Sequence, residues 1–269
     1  MQGSFRTIEL SDAPYEFDGL RFLTVKTPNL KGRGDICLYV PKTDQPLTDL
    51  PIYILLHGVY GSAWIWALKG GAHKTAEELM QRKQIEPAII AMPSDGLWGD
   101  GSAYFAHHQK DFARWIVEDV PLAIKENIPE ASAKSKLCIG GLSMGGYGAL
   151  WLGSNYPDKF SAIAAHSAIT CLEEMKLFVE EPLTDYTQEA ETPNVIDVIK
   201  ANQTKMPPLR FDCGVEDELI AGNRLLHQQL QDLNFKHTYE EFPGSHQWEY
   251  WQTHVRKTYQ FFNASLTQN

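Results

Sequence analysis

The sequence lacks long apolar runs, a positive net charge and closely spaced cysteines, and each absence excludes a class of protein. No run approaches the roughly 18 apolar residues that a membrane-spanning helix needs. The formal net charge of −10 disfavours the broad phosphate neutralisation that nucleic-acid binding requires. The first residues are acidic and polar where a secretory signal needs a basic start and an apolar core. We therefore expect a cytoplasmic protein without nucleic-acid or membrane partners.

The few cysteines argue against a disulfide framework. The four of them are widely spaced and form no C-x-x-C pair: Cys37, Cys138, Cys171 and Cys213. Three fall inside or at the edge of apolar runs, which favours buried free thiols over disulfides or a zinc site. Lone acidic residues in the loops are interpreted as solvated or turn-forming. We expect neither a metal nor a cofactor.

What the chain does contain is a regular alternation of short apolar runs and helical patterns. This alternation predicts a mainly parallel sheet with helices on both faces, in a single α/β domain spanning residues 1–269. The predicted strands lie at 36–40, 52–56, 88–92, 136–140, 162–166, 209–213 and 238–242. The predicted helices lie at 72–83, 110–127, 144–157, 218–234 and 247–262. The helix-free chain up to about residue 43 is expected to add antiparallel strands at one edge of the sheet.

One connection between predicted strands is unusually long. About residues 171–208 carry a mixed acidic and amphipathic stretch that ends in Met-Pro-Pro. Connections of this length usually carry function or cover another part of the molecule. We interpret this one as a lid or cap inserted over the active site, with a plain surface excursion as the alternative.

The stretch CIGGLSMGGYGAL, residues 138–150, places Ser143 between an apolar run and a helical pattern. The G-x-S-x-G pattern alone is weak evidence, because it should occur by chance in roughly one chain in ten of this length. A strand, a sharp turn and a helix around the serine are the setting of a nucleophile elbow. Gly141 and Gly145 would then let neighbouring chain pass close to a strained serine. We predict that Ser143 is a nucleophile.

A serine hydroxyl needs a base and an orienting acid, which in this setting follow on loops beyond later strands. Asp217 comes after the predicted strand at 209–213 and is the first choice for the acid. Glu216 is the next choice. Asp212 lies within the predicted strand, and Glu218 is typical of a first-turn helix charge.

His246 is the predicted base, because it lies in a glycine-containing loop after the strand at 238–242. His227 and His254 lie in helical patterns, where a solvated or structural role is the better interpretation. The order Ser143, Asp217, His246 is the order that the nucleophile-elbow setting requires.

A serine nucleophile also needs backbone amides that stabilise the oxyanion. One should come from Met144, which follows the nucleophile. The other should come from the loop after an early strand, where the sequence reads His-Gly-Val-Tyr-Gly and Val59 is the predicted donor. His57 is expected to brace this loop.

Aromatic residues cluster in loops that should border the site and could hold an aryl acyl group or a sugar ring. His166 ends a predicted strand near the same edge, where it would either contact substrate or serve the structure. The candidate pocket residues are Trp64, Trp98, Tyr104 and His166. Packing beneath the predicted lid is the alternative role for the aromatic residues.

With these landmarks in place, the chain resembles the Putative esterase family of α/β-hydrolases. The resemblance runs over nearly the whole sequence through KGRGDICLYVP, YILLHGVYGS, AIIAMPSDG, FARWIVEDVP, GGLSMGGYGAL, CGVEDEL and PGSHQWEYW. It implies a catalytic triad of Ser143, Asp217 and His246, which agrees with the assignment from the residues. It further implies hydrolysis of small or short-acyl esters through an acyl-enzyme.

Two other functions are weighed against hydrolysis. Acyl transfer to an alcohol or sugar would use the same residues, so the triad does not separate the two reactions. A non-catalytic binding protein is disfavoured, because such a protein has no need of a strained elbow. The expected partner is a small-molecule ester. The resemblance also allows a dimer or tetramer, for which the sequence identifies no interface.

Overall fold

The computed structural model describes residues 4–42, 47–186 and 194–267. The described strands are β1 (Ile8–Leu10), β2 (Leu20–Thr27), β3 (Gly32–Tyr39), β4 (Ile52–Leu56), β5 (Ile89–Pro93), β6 (Ala106–His107), β7 (Lys110–Asp111), β8 (Leu137–Leu142), β9 (Ala162–His166), β10 (Leu209–Gly214) and β11 (Thr238–Phe242). The described α-helices are α1 (Ile65–Leu68), α2 (Ala72–Gln81), α3 (Phe112–Arg114), α4 (Val120–Asn127), α5 (Met144–Asn155), α6 (Leu183–Tyr186), α7 (Val195–Asn202), α8 (Ile220–Asp232) and α9 (Trp248–Thr267).

Nine strands form one twisted sheet in the order β1-β2-β3-β5-β4-β8-β9-β10-β11. Strands β1, β2 and β3 are antiparallel to their neighbours. From β5 to β11 every pairing is parallel. The predicted fold class is confirmed, including the antiparallel strands at one edge.

The central strands are buried on both faces, which explains why their sequences are continuously apolar. One face packs against helices α4, α5, α7 and α8 through residues such as Ile124, Leu150 and Leu230. The opposite face packs against α1, α2 and α9 through residues such as Leu79 and Phe262. Cys37, Cys138 and Cys213 are buried and free, as expected, and burial raises the pKa of Cys37 to about 12.

The single helix predicted over 110–127 is divided in the structure. Helix α3 ends at Arg114, residues 115–119 form one π-helical turn, and α4 starts at Val120. Pro121 has no amide hydrogen to donate to the preceding turn, so it falls in the first turn of a new helix. The π turn places the Asp119 carboxylate beside Asn29, whose side chain donates to it at 2.9 Å.

A buried polar cluster connects the last helix to the sheet. Asp212 of β10 pairs with Arg210 on the same strand at 2.8 Å and with His166 of β9 at 2.9 Å. From α9, the Tyr250 hydroxyl donates to Asp212 at 2.8 Å, and Thr258 lies 2.8 Å from the second ring nitrogen of His166. This cluster fixes the position of α9, which begins two residues after His246.

Asp212 should make the protein less stable as the pH falls into the acidic range. Burial alone would raise the pKa of Asp212, but His166, Arg210 and Tyr250 hold it lower, at about 2. A carboxyl with a depressed pKa stabilises the fold fully above its unfolded-state pKa of about 4 and loses that contribution as pH falls towards 2.

The Asp212→Asn substitution should therefore lower the free energy of unfolding at pH 7 by about 2 to 3 kcal/mol. Its stability should also fall less steeply than that of the parent between about pH 4 and pH 2. Urea titrations at several pH values measure both effects. Parallel pH profiles for parent and variant would show that this carboxylate does not couple pH to folding.

Candidate active site

Ser143 lies at the junction of β8 and α5 in a conformation that few non-glycine residues adopt. Its backbone has φ 53° and ψ −121°, and its residue surface is only 2% exposed. Such a conformation costs energy and persists only where the surroundings enforce it. The amide of Ser143 donates to the carbonyl of His166 at 3.0 Å, and its carbonyl accepts from Tyr147 at 3.0 Å.

The glycines around Ser143 are required by backbone contacts. A Cβ atom on Gly141 would lie 2.2 Å from the carbonyl oxygen of Gly145. A Cβ on Gly145 would lie 2.3 Å from the carbonyl oxygen of Leu56 and 2.5 Å from that of His57. Backbone cannot yield as a flexible side chain can, so the turn packs directly against the end of β4.

The structure brings together the three side chains that the sequence singles out. His246 Nε2 lies 2.9 Å from Ser143 Oγ. On the other side of the ring, His246 Nδ1 lies 3.0 Å and 3.1 Å from the two carboxylate oxygens of Asp217. A continuous line of hydrogen bonds therefore joins a carboxylate, an imidazole and a hydroxyl.

Asp217 is held in its charged form. Burial would raise the pKa of Asp217, but the hydrogen bond and charge of His246, together with the amide of Leu219, lower it below its usual range. That amide donates to Asp217 Oδ1 at 2.9 Å. Glu216, the alternative acid, instead accepts from the amide of Gly244 at 2.5 Å and so supports the loop that carries His246.

The loop after β4 passes directly over Ser143. A Cβ on Gly58 would lie 3.2 Å from the Cβ of Ser143. In the part of the chain that the structure describes, the amides of Val59 and Met144 have no hydrogen-bond acceptor. The side chains of these two residues both lie close to Gly101. A Cβ atom on Gly101 would be 2.4 Å from the side chain of Met144 and 3.4 Å from that of Val59.

His57 braces this loop through both of its ring nitrogens. Its Nδ1 lies 2.7 Å from the carbonyl of Gly58, and its Nε2 accepts from the amide of Asp95 at 3.0 Å. The hydroxyl of Tyr104 donates to the carbonyl of His57 at 2.9 Å. The expected bracing role of His57 is thus visible in its contacts.

A cleft of about 560 Å³ opens at Ser143. Two aromatic rings pack against the imidazole of His246. The ring of Phe178 stacks on it with 5.1 Å between ring centroids, and the ring of Trp251 meets it edge-on with 5.0 Å between centroids. The cleft is lined by Gly58, Val59, Tyr60, Ile65, Lys69, Leu142, Ser143, Phe178, Glu218, His246, Gln247, Trp248, Glu249 and Trp251.

None of the four predicted pocket residues lines this cleft. Trp64 is 46% exposed beside it, and Trp98 packs instead against His107, His108 and Tyr186. Tyr104 is fully buried beneath the loop after β4. His166 is buried in the polar cluster with Asp212. A role for these four residues in binding substrate stays a prediction, because sequence proximity to the site does not decide which way a loop side chain faces.

Apart from Val59, Ser143 and His246, sequence reasoning did not single out the residues that line the cleft. Trp248 and Trp251 are three residues apart on the first turn of α9, and their ring centroids are 5.3 Å apart. The signal was present in the Trp-Glu-Tyr-Trp that follows His246, since residues three apart share a helix face. Phe178, from the predicted lid, and Glu218, interpreted as a helix charge, could not have been placed without the tertiary structure.

The first part of the predicted lid, which includes Phe178, contacts the loops around the site. The hydroxyl of Tyr60 donates to the carbonyl of Phe178. The amide of Glu180 donates to Asp100 at 2.9 Å, and the amide of Asp100 donates to Glu181 at 3.0 Å. Helix α7 packs against α5, while residues 187–193 lie outside the described part of the chain. Movement of this segment as a lid stays a prediction.

Two further features concern metals and membranes. Within residues 4–42, 47–186 and 194–267, no group of three or more His, Cys, Asp or Glu residues could hold a metal ion. No helix in the same ranges is both long enough and apolar enough to cross a membrane.

The chain is similar to known esterases over most of its length. A family model described as Putative esterase matches residues 27–261. An acetyl esterase from Caldicellulosiruptor saccharolyticus is 24% identical over 263 residues, with 91% of each chain covered. A solved ferulic acid esterase matches with a TM-score of 0.78 at 20% identity, covering 97% of this chain and 99% of that one. An S-formylglutathione hydrolase from Staphylococcus aureus matches with a TM-score of 0.76 at 16% identity, covering 94% and 99%.

Because the turn around Ser143 is tightly packed, adding one methyl group there should strongly destabilise the protein. Gly145→Ala should lower the free energy of unfolding by about 3 kcal/mol, because its Cβ would overlap backbone atoms of Leu56 and His57. Gly32→Ala is a matched control, since its Cβ would lie 3.5 Å from the nearest atom, an ordinary contact. Urea unfolding of both variants measures the difference. Equal stabilities would mean that the turn has room that the structure does not show.

Proposed function

The chain belongs to the Putative esterase family and is a serine esterase, and from this premise we propose that Ser143 is its nucleophile, His246 its general base and Asp217 the orienting acid. The observation that carries this proposal is the unbroken line of contacts from Asp217 through His246 to Ser143 Oγ, at 3.0 Å and 2.9 Å. The α/β-hydrolase fold supports it, because the serine occupies the strand-to-helix turn that presents a nucleophile in this fold.

The carboxylate of Asp217 determines which nitrogen of His246 acts as the base. Because this carboxylate is ionised, it accepts a hydrogen bond from the protonated Nδ1. The lone pair of the neutral ring then lies on Nε2, which faces Ser143 Oγ. The arrangement therefore favours removal of the serine proton as attack begins.

Acylation proceeds by attack of Ser143 Oγ on the ester carbonyl carbon while His246 Nε2 takes the hydroxyl proton. The negative charge on the former carbonyl oxygen is stabilised by the amides of Val59 and Met144. The carbon–oxygen bond to the alcohol then breaks, and the alcohol leaves with the proton from His246. Water attacks the acyl-enzyme with the same base and releases the acid, so all steps use only the chain, the ester and water.

We propose small or short-acyl esters as substrates. The space at Ser143 is bounded by bulky side chains, including Leu142, Phe178 and Trp251. The similarity to an acetyl esterase over 91% of the chain supports a small acyl group. Acyl transfer to an alcohol would use the same residues, but no contact among the described residues favours an acceptor other than water.

The first test is the loss of the nucleophile. Ser143→Ala should lower the rate of p-nitrophenyl acetate hydrolysis by at least about a thousandfold, because the variant lacks the hydroxyl that is proposed to form the acyl-enzyme. The far-ultraviolet circular dichroism and urea midpoint should remain close to those of the parent. Hydrolysis at the parent rate by the folded variant would overturn the assignment of Ser143.

The second test concerns the acid. Asp217→Asn should lower kcat by about a thousandfold or more, because the amide no longer holds His246 in the reactive tautomer. Glu216→Gln is the matched control, since its side chain binds the Gly244 amide and not the imidazole. Its kcat should fall by less than about tenfold. Equal losses in the two variants would place the orienting acid elsewhere.

A further inference from the structure

Four large apolar side chains are exposed to water around the mouth of the active-site cleft. Their exposed fractions are 68% for Tyr60, 46% for Trp64, 51% for Leu68 and 58% for Leu177. We call these four residues the apolar rim. Single exposed apolar residues are common on protein surfaces, whereas a group of them beside a functional site marks an interaction surface.

Contacts in the structure place the rim at the cleft. Tyr60 itself lines the cleft, and its hydroxyl donates to the carbonyl of Phe178, the residue that follows Leu177. Trp64 precedes Ile65 and Leu68 precedes Lys69, two further lining residues, and the amide of Leu68 donates to the carbonyl of Trp64 at 2.8 Å. Two segments distant in sequence thus present apolar side chains at the opening of the cleft.

The charge of the cleft lining and of the whole chain limits the kind of surface that the rim can bind. The charged side chains that line the cleft outside the proposed triad are Lys69, Glu218 and Glu249. They sum to one negative charge, and the whole chain carries a formal charge of −10. An anionic lipid surface would be repelled, whereas a surface of uncharged esters imposes no such cost.

We infer that the apolar rim docks the enzyme on the surface of undissolved neutral esters, such as droplets of a short-chain triacylglycerol. The inference rests on the proposed function, because the rim surrounds the serine that would attack the ester. Docking would place the cleft against a phase in which the substrate is concentrated, with the rim side chains transferred out of water. The occupant of this surface is therefore the substrate phase itself.

The test uses the double variant Leu68→Gln with Leu177→Gln. Neither residue is a proposed catalytic group or lines the cleft. The matched control is Leu122→Gln with Leu225→Gln, two leucines that are 38% and 58% exposed on α4 and α8. With tributyrin, the parent rate should rise sharply once the ester exceeds its solubility and forms droplets. The rim variant should lose about tenfold of the droplet rate yet hydrolyse dissolved p-nitrophenyl acetate as the parent does.

A binding measurement separates docking from catalysis. The Ser143→Ala protein should be recovered with tributyrin droplets after centrifugation, and adding the two rim substitutions should reduce the recovered fraction about tenfold. No recovery of Ser143→Ala with droplets, or equal recovery with and without the rim substitutions, would overturn the inference even if dissolved esters are hydrolysed. A parent dimer that the rim substitutions convert to monomer in light scattering would also overturn it, because a second copy would then cover the rim.

A parent protein that hydrolyses no dissolved ester would contradict the proposed function without testing the rim. Droplet recovery of Ser143→Ala then still decides whether the rim docks on neutral esters. Recovery with anionic phospholipid vesicles in preference to tributyrin would contradict the charge argument and with it the inference.

Discussion

The left-handed backbone of Ser143 is the constraint on which the rest of the site depends. A residue at φ 53° between a buried strand and a helix can persist only if its neighbours hold it there. Gly141 and Gly145 allow this by letting backbone meet backbone at distances that no side chain would permit. The same contact presses the turn against the end of β4, so the loop that carries Val59 is brought over the serine. The strained serine, its two glycines and the loop that carries Val59 therefore depend on one another.

The opposite side of the site depends on the buried cluster around Asp212. The loop that carries His246 leads directly into α9, and Tyr250 and Thr258 of that helix bond to Asp212 and His166 in the sheet. Because α9 is fixed in this way, Trp251 lies edge-on to the imidazole, and Trp248 lines the cleft. The residues that position the base and the residues that shape the cleft thus share one helix.

The sequence predicts the sheet well because buried parallel strands are continuous apolar runs. The predicted strands at 52–56, 162–166 and 238–242 agree with the structure at both ends. The candidate triad also lies together, because nucleophile, acid and base each follow a strand and the carboxyl ends of parallel strands share one edge. The cleft lining could not be predicted in the same way. Trp64 follows Tyr60 by four residues and Trp98 lies in the loop after β5, yet packing of the loops turns one to solvent and the other into a cluster with Tyr186.

A crystal structure of the enzyme after reaction with a fluorophosphonate tests the account most directly. The adduct mimics the tetrahedral intermediate, so its position reports the nucleophile and the oxyanion donors together. We predict phosphorus bonded to Ser143 Oγ, with one phosphoryl oxygen within hydrogen-bond distance of the amides of both Val59 and Met144. A label on another residue, or an oxygen directed away from these two amides, would contradict the proposed site.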